Sequence, residues 1–247
     1  MPLIRLNHKV IYFAHVPKTA GSSLLEFFDA IGGTVVLSAV DLKVAYPAAR
    51  QARRRQWEVT SPQHLPAAAT NGLINPEFYD AAFMFTRHPE DRLLSEYRWR
   101  KKYGKSWVRR LGFSSWFQFF QGVYSQRSSV LDGHLLPQSA YVQPQMQVFA
   151  LEDGFQAFAQ WLSEVAEMDP IDPQLVPRVN TADPTTIPLP PEDQQQINAF
   201  YAQDFERFGY QPRGAVANPK QPGTSNGLWH ITGRVYGRLK RNALNIY

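Results

Sequence analysis

Lys18, Thr19, Gly21, Ser22 and Ser23 stand between an apolar run, Val10 to Val16, and a segment of helical spacing, Leu24 to Phe28. A turn at that place presents consecutive backbone N–H groups at a helix N-terminus, whose partial positive charge favours an anion. Lys18 adds a full charge, and the hydroxyls of Thr19, Ser22 and Ser23 add donors, so the pattern suits a phosphoryl group. From the residues alone, a serine or threonine N-cap beside an exposed lysine is the competing reading. The lysine precedes the glycine, unlike the Gly-x-x-x-x-Gly-Lys-Ser/Thr spacing of nucleotide triphosphatases, so neither ATP hydrolysis nor a magnesium ligand is inferred.

Holding these residues takes a strand, a tight turn and a helix. Val10 to Val16 reads as a central parallel strand covered on both faces, and the following helix ends near Gly32-Gly33. The pattern returns at Ala81 to Thr86, a strand that turns at Arg87-His88-Pro89 into a helix over about residues 90–103, with Pro89 suited to a first helical position. Further elements are expected as strands at Val35 to Leu37, Trp57 to Thr60 and Met146 to Leu151, and as helices at Leu42 to Arg55, from Ser114, and at Phe155 to Glu167. A Pro-rich connector, Pro170 to Pro191, precedes one last helix of the body, Glu192 to Phe208. This alternation predicts the α/β class: a single three-layer domain, helices on both faces of a mostly parallel central sheet, with the site beyond the strands' carboxyl ends.

Pro17-Lys18-Thr19-Ala20-Gly21-Ser22-Ser23 resembles the 5′-phosphosulfate-binding loop of the carbohydrate sulfotransferases, of the heparan and chondroitin type. Arg87-His88-Pro89-Glu90-Asp91-Arg92-Leu93-Leu94-Ser95-Glu96-Tyr97 resembles that family's second signature, Arg, Pro, Arg, Ser and Tyr at fixed spacing after a strand. Similar stretches occur around His64, at Asp132 to Gln138, and from Val179-Asn180 through Asp204 to Tyr210, so the likeness covers residues 9–210. The resemblance implies a P-loop-like sulfotransferase domain over residues 1–210. It implies 3′-phosphoadenosine 5′-phosphosulfate as sulfuryl donor, 3′-phosphoadenosine 5′-phosphate as product, and no metal requirement. Lys18, Thr19, Ala20, Gly21, Ser22 and Ser23 would hold the 5′-phosphosulfate, and Arg87 and Ser95 the 3′-phosphate. If the residues between them are helical, Ser95 lies about 12 Å beyond Arg87, within approach of a phosphate lying across the first turns. Arg92 either joins that contact or pairs with an acid such as Glu96.

Transfer to a hydroxyl requires a base for the acceptor proton, and a neutral imidazole serves near pH 7. His64 occupies a segment similar to the histidine segment after an early strand in related glycan sulfotransferases, and is the expected base; a loop histidine that caps the next turn is the alternative. Lys18 would stabilise charge on the phosphate oxygen of the leaving group. His134, Gln138 and Asn180 are expected at the acceptor or in support of the donor, with Thr181 beside Asn180 helping to close the donor pocket. His15, inside the apolar first strand, reads as a core histidine rather than a metal ligand. Trp57, Trp99 and Trp107 are candidates for stacking on adenine or sugar, with core packing as the safer reading.

Composition narrows the classes. The chain has 247 residues and no cysteine, which removes thiolate nucleophiles and cysteine-ligated metals, and its length suffices to bury a core without staples. The formal charge of +5 belongs to residues 211–247, which carry six basic residues and no acid. Further basic patches lie at Arg50 to Arg55 and Arg98 to Arg110. Residues 211–247 are expected to form a basic extension docked on the domain, with an amphipathic stripe of Leu228, Ile231, Val235, Leu239 and Ala243 facing it, or alternatively a membrane surface. Without an apolar stretch of spanning length or a signal-peptide core, a cytoplasmic location is expected. The main reading is sulfuryl transfer to a hydroxyl of a carbohydrate or glycoconjugate, with no nucleic-acid partner; a nucleotide-dependent phosphotransferase and a non-enzymatic binder of an anionic polymer or membrane are the alternatives.

Overall fold

The structure, a computed structural model, describes residues 2–38, 60–177, 187–214 and 227–239. The expected helix at 42–55, strand residues 57–59 with Trp57, the Arg50 to Arg55 patch, and Asn180 with Thr181 lie outside the described residues. In chain order the strands are β1 (Leu3–Leu6), β2 (Lys9–Phe13), β3 (Thr34–Val36), β4 (Ala81–Thr86) and β5 (Gln147–Ala150). The helices are α1 (Gly21–Ala30), α2 (Ala67–Thr70), α3 (Pro89–Tyr103), α4 (Ser106–Arg110), α5 (Phe113–Tyr124), α6 (Gln156–Ala166), α7 (Pro191–Phe200), α8 (Ala202–Phe208) and α9 (Leu228–Leu239). They fall into two compact units, residues 1–87 with 138–181 and residues 88–137 with 182–247.

The first unit holds the five-stranded sheet, in the order β3-β1-β2-β4-β5. β2, β4 and β5 are parallel neighbours, whereas β1 runs antiparallel to both β2 and β3. The sheet is therefore mixed rather than wholly parallel, with β1 running against the other four strands. The cause is local: Asn7, at φ 52°, turns the chain back after β1 so that Leu6 pairs with Lys9. Asparagine tolerates this left-handed conformation better than most residues.

One sheet face presents Ile4, Leu6, Ile11, Phe13, Phe83, Phe85 and Phe149 to Leu24, Phe27 and Phe28 of α1 and to Phe158, Leu162 and Ala166 of α6. Phe13 and Phe83 stack across β2 and β4 with ring centroids 4.7 Å apart. Each such side chain removed from water stabilises the unit by roughly 1.5–3 kcal/mol before entropy is counted. On the other face Tyr12 stacks on Tyr79, and its hydroxyl lies 3.4 Å from Thr70 Oγ1 of α2. Burial pushes the Tyr12 phenol up to about 12.

In the second unit Leu93, Leu94 and Tyr97 of α3 pack with Trp116, Phe117 and Phe120 of α5 and with Ile197, Tyr201 and Phe205. The single helix expected over Glu192 to Phe208 is two, because Tyr201 leaves helical geometry at φ −109°, ψ 24°. Its ring is fully buried beneath the Arg92 guanidinium, 5.1 Å away, and its hydroxyl donates to the Leu135 carbonyl at 3.2 Å. Trp99 lies under Arg100, and Trp107 packs on Phe119 and Tyr236.

Helix α9 lies along α5 through glycines. A Cβ on Gly122 would stand 2.1 Å from the His230 carbonyl oxygen, and one on Gly233 would stand 2.0 Å from that of Phe119. Among the described residues, no helix is long and apolar enough to cross a membrane.

Candidate active site

β2 and β4 are parallel neighbours, paired from Ile11 with Ala81 to Phe13 with Phe83. Lys18 to Ser23 follow β2, and Arg87 follows β4, so both segments leave the carboxyl ends of adjacent strands. In an open α/β sheet such ends are where ligands bind.

The loop has a backbone made for anions. Lys18 (φ 70°) and Ala20 (φ 66°) are both left-handed, whereas Thr19 between them is not. Alternating conformations of this kind turn successive N–H groups toward one point. For residues with a Cβ each left-handed position costs on the order of 1 kcal/mol, a cost that clusters at functional sites. Ala20 occupies the N-cap of α1 with no side-chain cap, so the loop is not the serine or threonine N-cap that was the competing reading. Ser22 is exposed, Lys18 half-buried and Ser23 buried. The fully buried Thr19 hydroxyl donates to the Val16 carbonyl at 2.9 Å and braces the turn.

His15 is the residue that sequence reasoning set aside. It is buried, stacked on Phe13 at 5.2 Å, and its Nε2 occupies the space a Cβ on Gly21 would need, 1.7 Å from that position. Period-two alternation puts Ile11, Phe13 and His15 on the face that meets α1, which is the signal that could have found it. The other face of the connection is His64: its ring meets His15 edge-on with centroids 5.0 Å apart. His15 thus links the loop to the expected base.

His64 ends a 3₁₀ turn, Pro62–His64, and is buried. Its carbonyl accepts from Thr60 Oγ1 at 3.0 Å and from the Tyr141 hydroxyl at 3.4 Å. The Gln63 amide nitrogen lies 3.1 Å from Nε2, and Ser61 Oγ lies 3.5 Å from Nδ1. An imidazole nitrogen that can accept a proton is what a base requires.

Gln138 is fully buried and meets the backbone of Arg87. Arg87 N donates to its Oε1 at 2.9 Å, and its Nε2 donates to the Arg87 carbonyl at 2.8 Å.

Ser95 and His134 belong to the second unit. Ser95 is buried in α3. His134 Nδ1 donates to Glu96 Oε2 at 2.6 Å, and Arg100 Nε donates to Glu96 Oε1 at 2.6 Å. Arg92 donates to the carbonyls of His134 at 3.1 Å and Leu136 at 2.8 Å. The start of α3 is strapped by residues beyond the expected boundary at 210, since Arg213 binds both carboxylate oxygens of Asp91 at 2.7 Å and the His88 Nε2–H donates to the Gln211 carbonyl at 3.0 Å.

Residues 2–211 match the sulfotransferase family, and the chain belongs to it. The comparisons with curated proteins and with solved structures gave no match.

Proposed function

We propose that the protein transfers a sulfuryl group from 3′-phosphoadenosine 5′-phosphosulfate to a hydroxyl of a carbohydrate or glycoconjugate. Membership of the sulfotransferase family supports sulfuryl transfer. The observation that carries the donor reading is the left-handed pair Lys18 and Ala20 at the head of α1, closed against His15 at Gly21, on the strand next to the one that ends at Arg87.

That cradle fits a phosphosulfate: its backbone amides and the Lys18 ammonium are donors without a competing carboxylate in the turn. Arg87 suits a second phosphate because its planar guanidinium can engage two oxygens at once. When bound, the donor supplies a sulfuryl group joined to a phosphate leaving group. Lys18 neutralises charge that grows on the bridging oxygen as the sulfur–oxygen bond to phosphate breaks. His64 Nε2 releases its contact with Gln63 and takes the acceptor hydroxyl proton as the new oxygen–sulfur bond forms. Asn180 is proposed as a further donor to the bound nucleotide, and His134 as a polar contact to the acceptor.

The test is mass spectrometry of a panel of glycans incubated with the donor and the purified protein. Sulfated product is expected from the wild type and lost by Lys18→Ala and His64→Ala at unchanged melting temperature. Turnover of His64→Ala equal to wild type at saturating acceptor would remove His64 as the base.

A further inference from the structure

Of the stripe expected to face either the domain or a membrane surface, Leu228, Ile231 and Val235 are exposed in α9, at 76%, 49% and 51%. The buried positions are Gly233 and Gly237 instead. Glycine wins the contact with α5 because it lets the two backbones meet where any Cβ would collide. Positions i, i+3 and i+7 of a helix fall on one side, so the three aliphatic side chains form one outward stripe. Beside it stand Arg234 and Arg238, one turn apart and both exposed. Arg238 Nε is fixed by Gln126 Oε1 at 3.0 Å, and α9 carries no acidic residue. Trp107, packed on Tyr236, belongs to α4, whose Arg109 and Arg110 are also exposed.

We propose that α9 is an interfacial helix that lies on anionic lipid bilayers, its aliphatic stripe entering the boundary between headgroups and acyl chains and its arginines meeting lipid anions. An aliphatic stripe flanked by fixed cations is the pattern that such a surface rewards on both counts. A second copy of the chain fits less well. Two-fold pairing through the stripe would bring the arginines of both copies to one interface with no acid on either helix to offset them. The inference is independent of the sulfuryl-transfer reading, since it concerns adsorption and not turnover.

The experiment is sedimentation of the 247-residue protein with vesicles of phosphatidylcholine containing one quarter phosphatidylserine, against pure phosphatidylcholine vesicles. The wild type should sediment with the anionic vesicles and stay in solution with the neutral ones. Arg234→Gln and Arg238→Gln should each weaken binding roughly fivefold, and raised salt should do the same. Ile231→Asp with Val235→Asp should abolish it; these positions are exposed, and an unchanged melting temperature verifies the fold. The proposal is overturned if the wild type fails to bind anionic vesicles, if the aspartate variant binds as well as wild type, or if light scattering shows a dimer that these substitutions dissolve while vesicle binding is absent.

Discussion

The side chain of Gln138 clamps the main chain of Arg87 from both sides, accepting from its N–H at 2.9 Å and donating to its carbonyl at 2.8 Å. A carboxamide carries an acceptor oxygen and a donor nitrogen side by side, so it can do both, and here it does so fully buried. The clamp fixes the residue at which β4 gives way to α3, and so fixes the position from which the Arg87 guanidinium projects.

Gln138→Ala therefore removes both of these part-buried hydrogen bonds to the Arg87 backbone. Stability should fall by about 1–3 kcal/mol. Gln138→Glu keeps the acceptor but, when ionised, cannot donate to the Arg87 carbonyl, and should recover only part of the loss. Chemical denaturation of the three proteins checks this; equal stability would mean that the clamp contributes nothing.

Gly21 is required by a neighbour rather than by its own φ, because His15 Nε2 fills the place of a Cβ. Gly21→Ala should destabilise the first unit by about 1–3 kcal/mol through overpacking and weaken nucleotide binding. Adding His15→Ala makes room, so the double variant should regain stability over Gly21→Ala alone. Melting temperatures of the single and double variants decide the matter, and strict additivity of two losses would contradict the contact.

Glu96 is buried with Arg100, which is itself 2% exposed in its side chain, and also accepts from His134. Removing one partner of such a pair leaves an uncompensated charge, so Glu96→Ala should cost about 3–5 kcal/mol. Because Glu96 holds Nδ1 as the hydrogen-bearing nitrogen of His134, the variant should also alter the imidazole tautomer. Nitrogen-resolved NMR of His134 in a variant that remains folded, such as Glu96→Gln, reads that change directly, and an unaltered tautomer would contradict it.

The strand, turn and helix around Lys18 were legible because a β-rich apolar run, a polar turn and a helical repeat follow one another without interruption. The same holds for β4 and α3 around Arg87. The mixed sheet was not legible, since β1 is four residues long and is joined to β2 by a turn that no Gly or Pro marks. That Gln138 braces the Arg87 backbone was not legible, because the pairing joins residues 51 positions apart. His15 was legible as a buried histidine of the apolar strand, but not its fit against Gly21, because that depends on how closely the following helix approaches. The sequence left open whether the stripe of α9 faces inward or outward, because hydrophobic periodicity counts side chains, and here the buried contact is made by residues that have none.

The donor assignment rests on two anion positions, at Lys18 and at Arg87. Calorimetric titration of the full chain with 3′-phosphoadenosine 5′-phosphate and with adenosine 5′-phosphate tests it most directly. The 3′-phosphorylated nucleotide should bind roughly 10- to 100-fold more tightly, the worth of charge-assisted hydrogen bonds of about 1.5–3 kcal/mol, and Arg87→Ala should erase the difference while leaving the weaker ligand unaffected. Equal affinity of the wild-type protein for the two nucleotides would contradict the account.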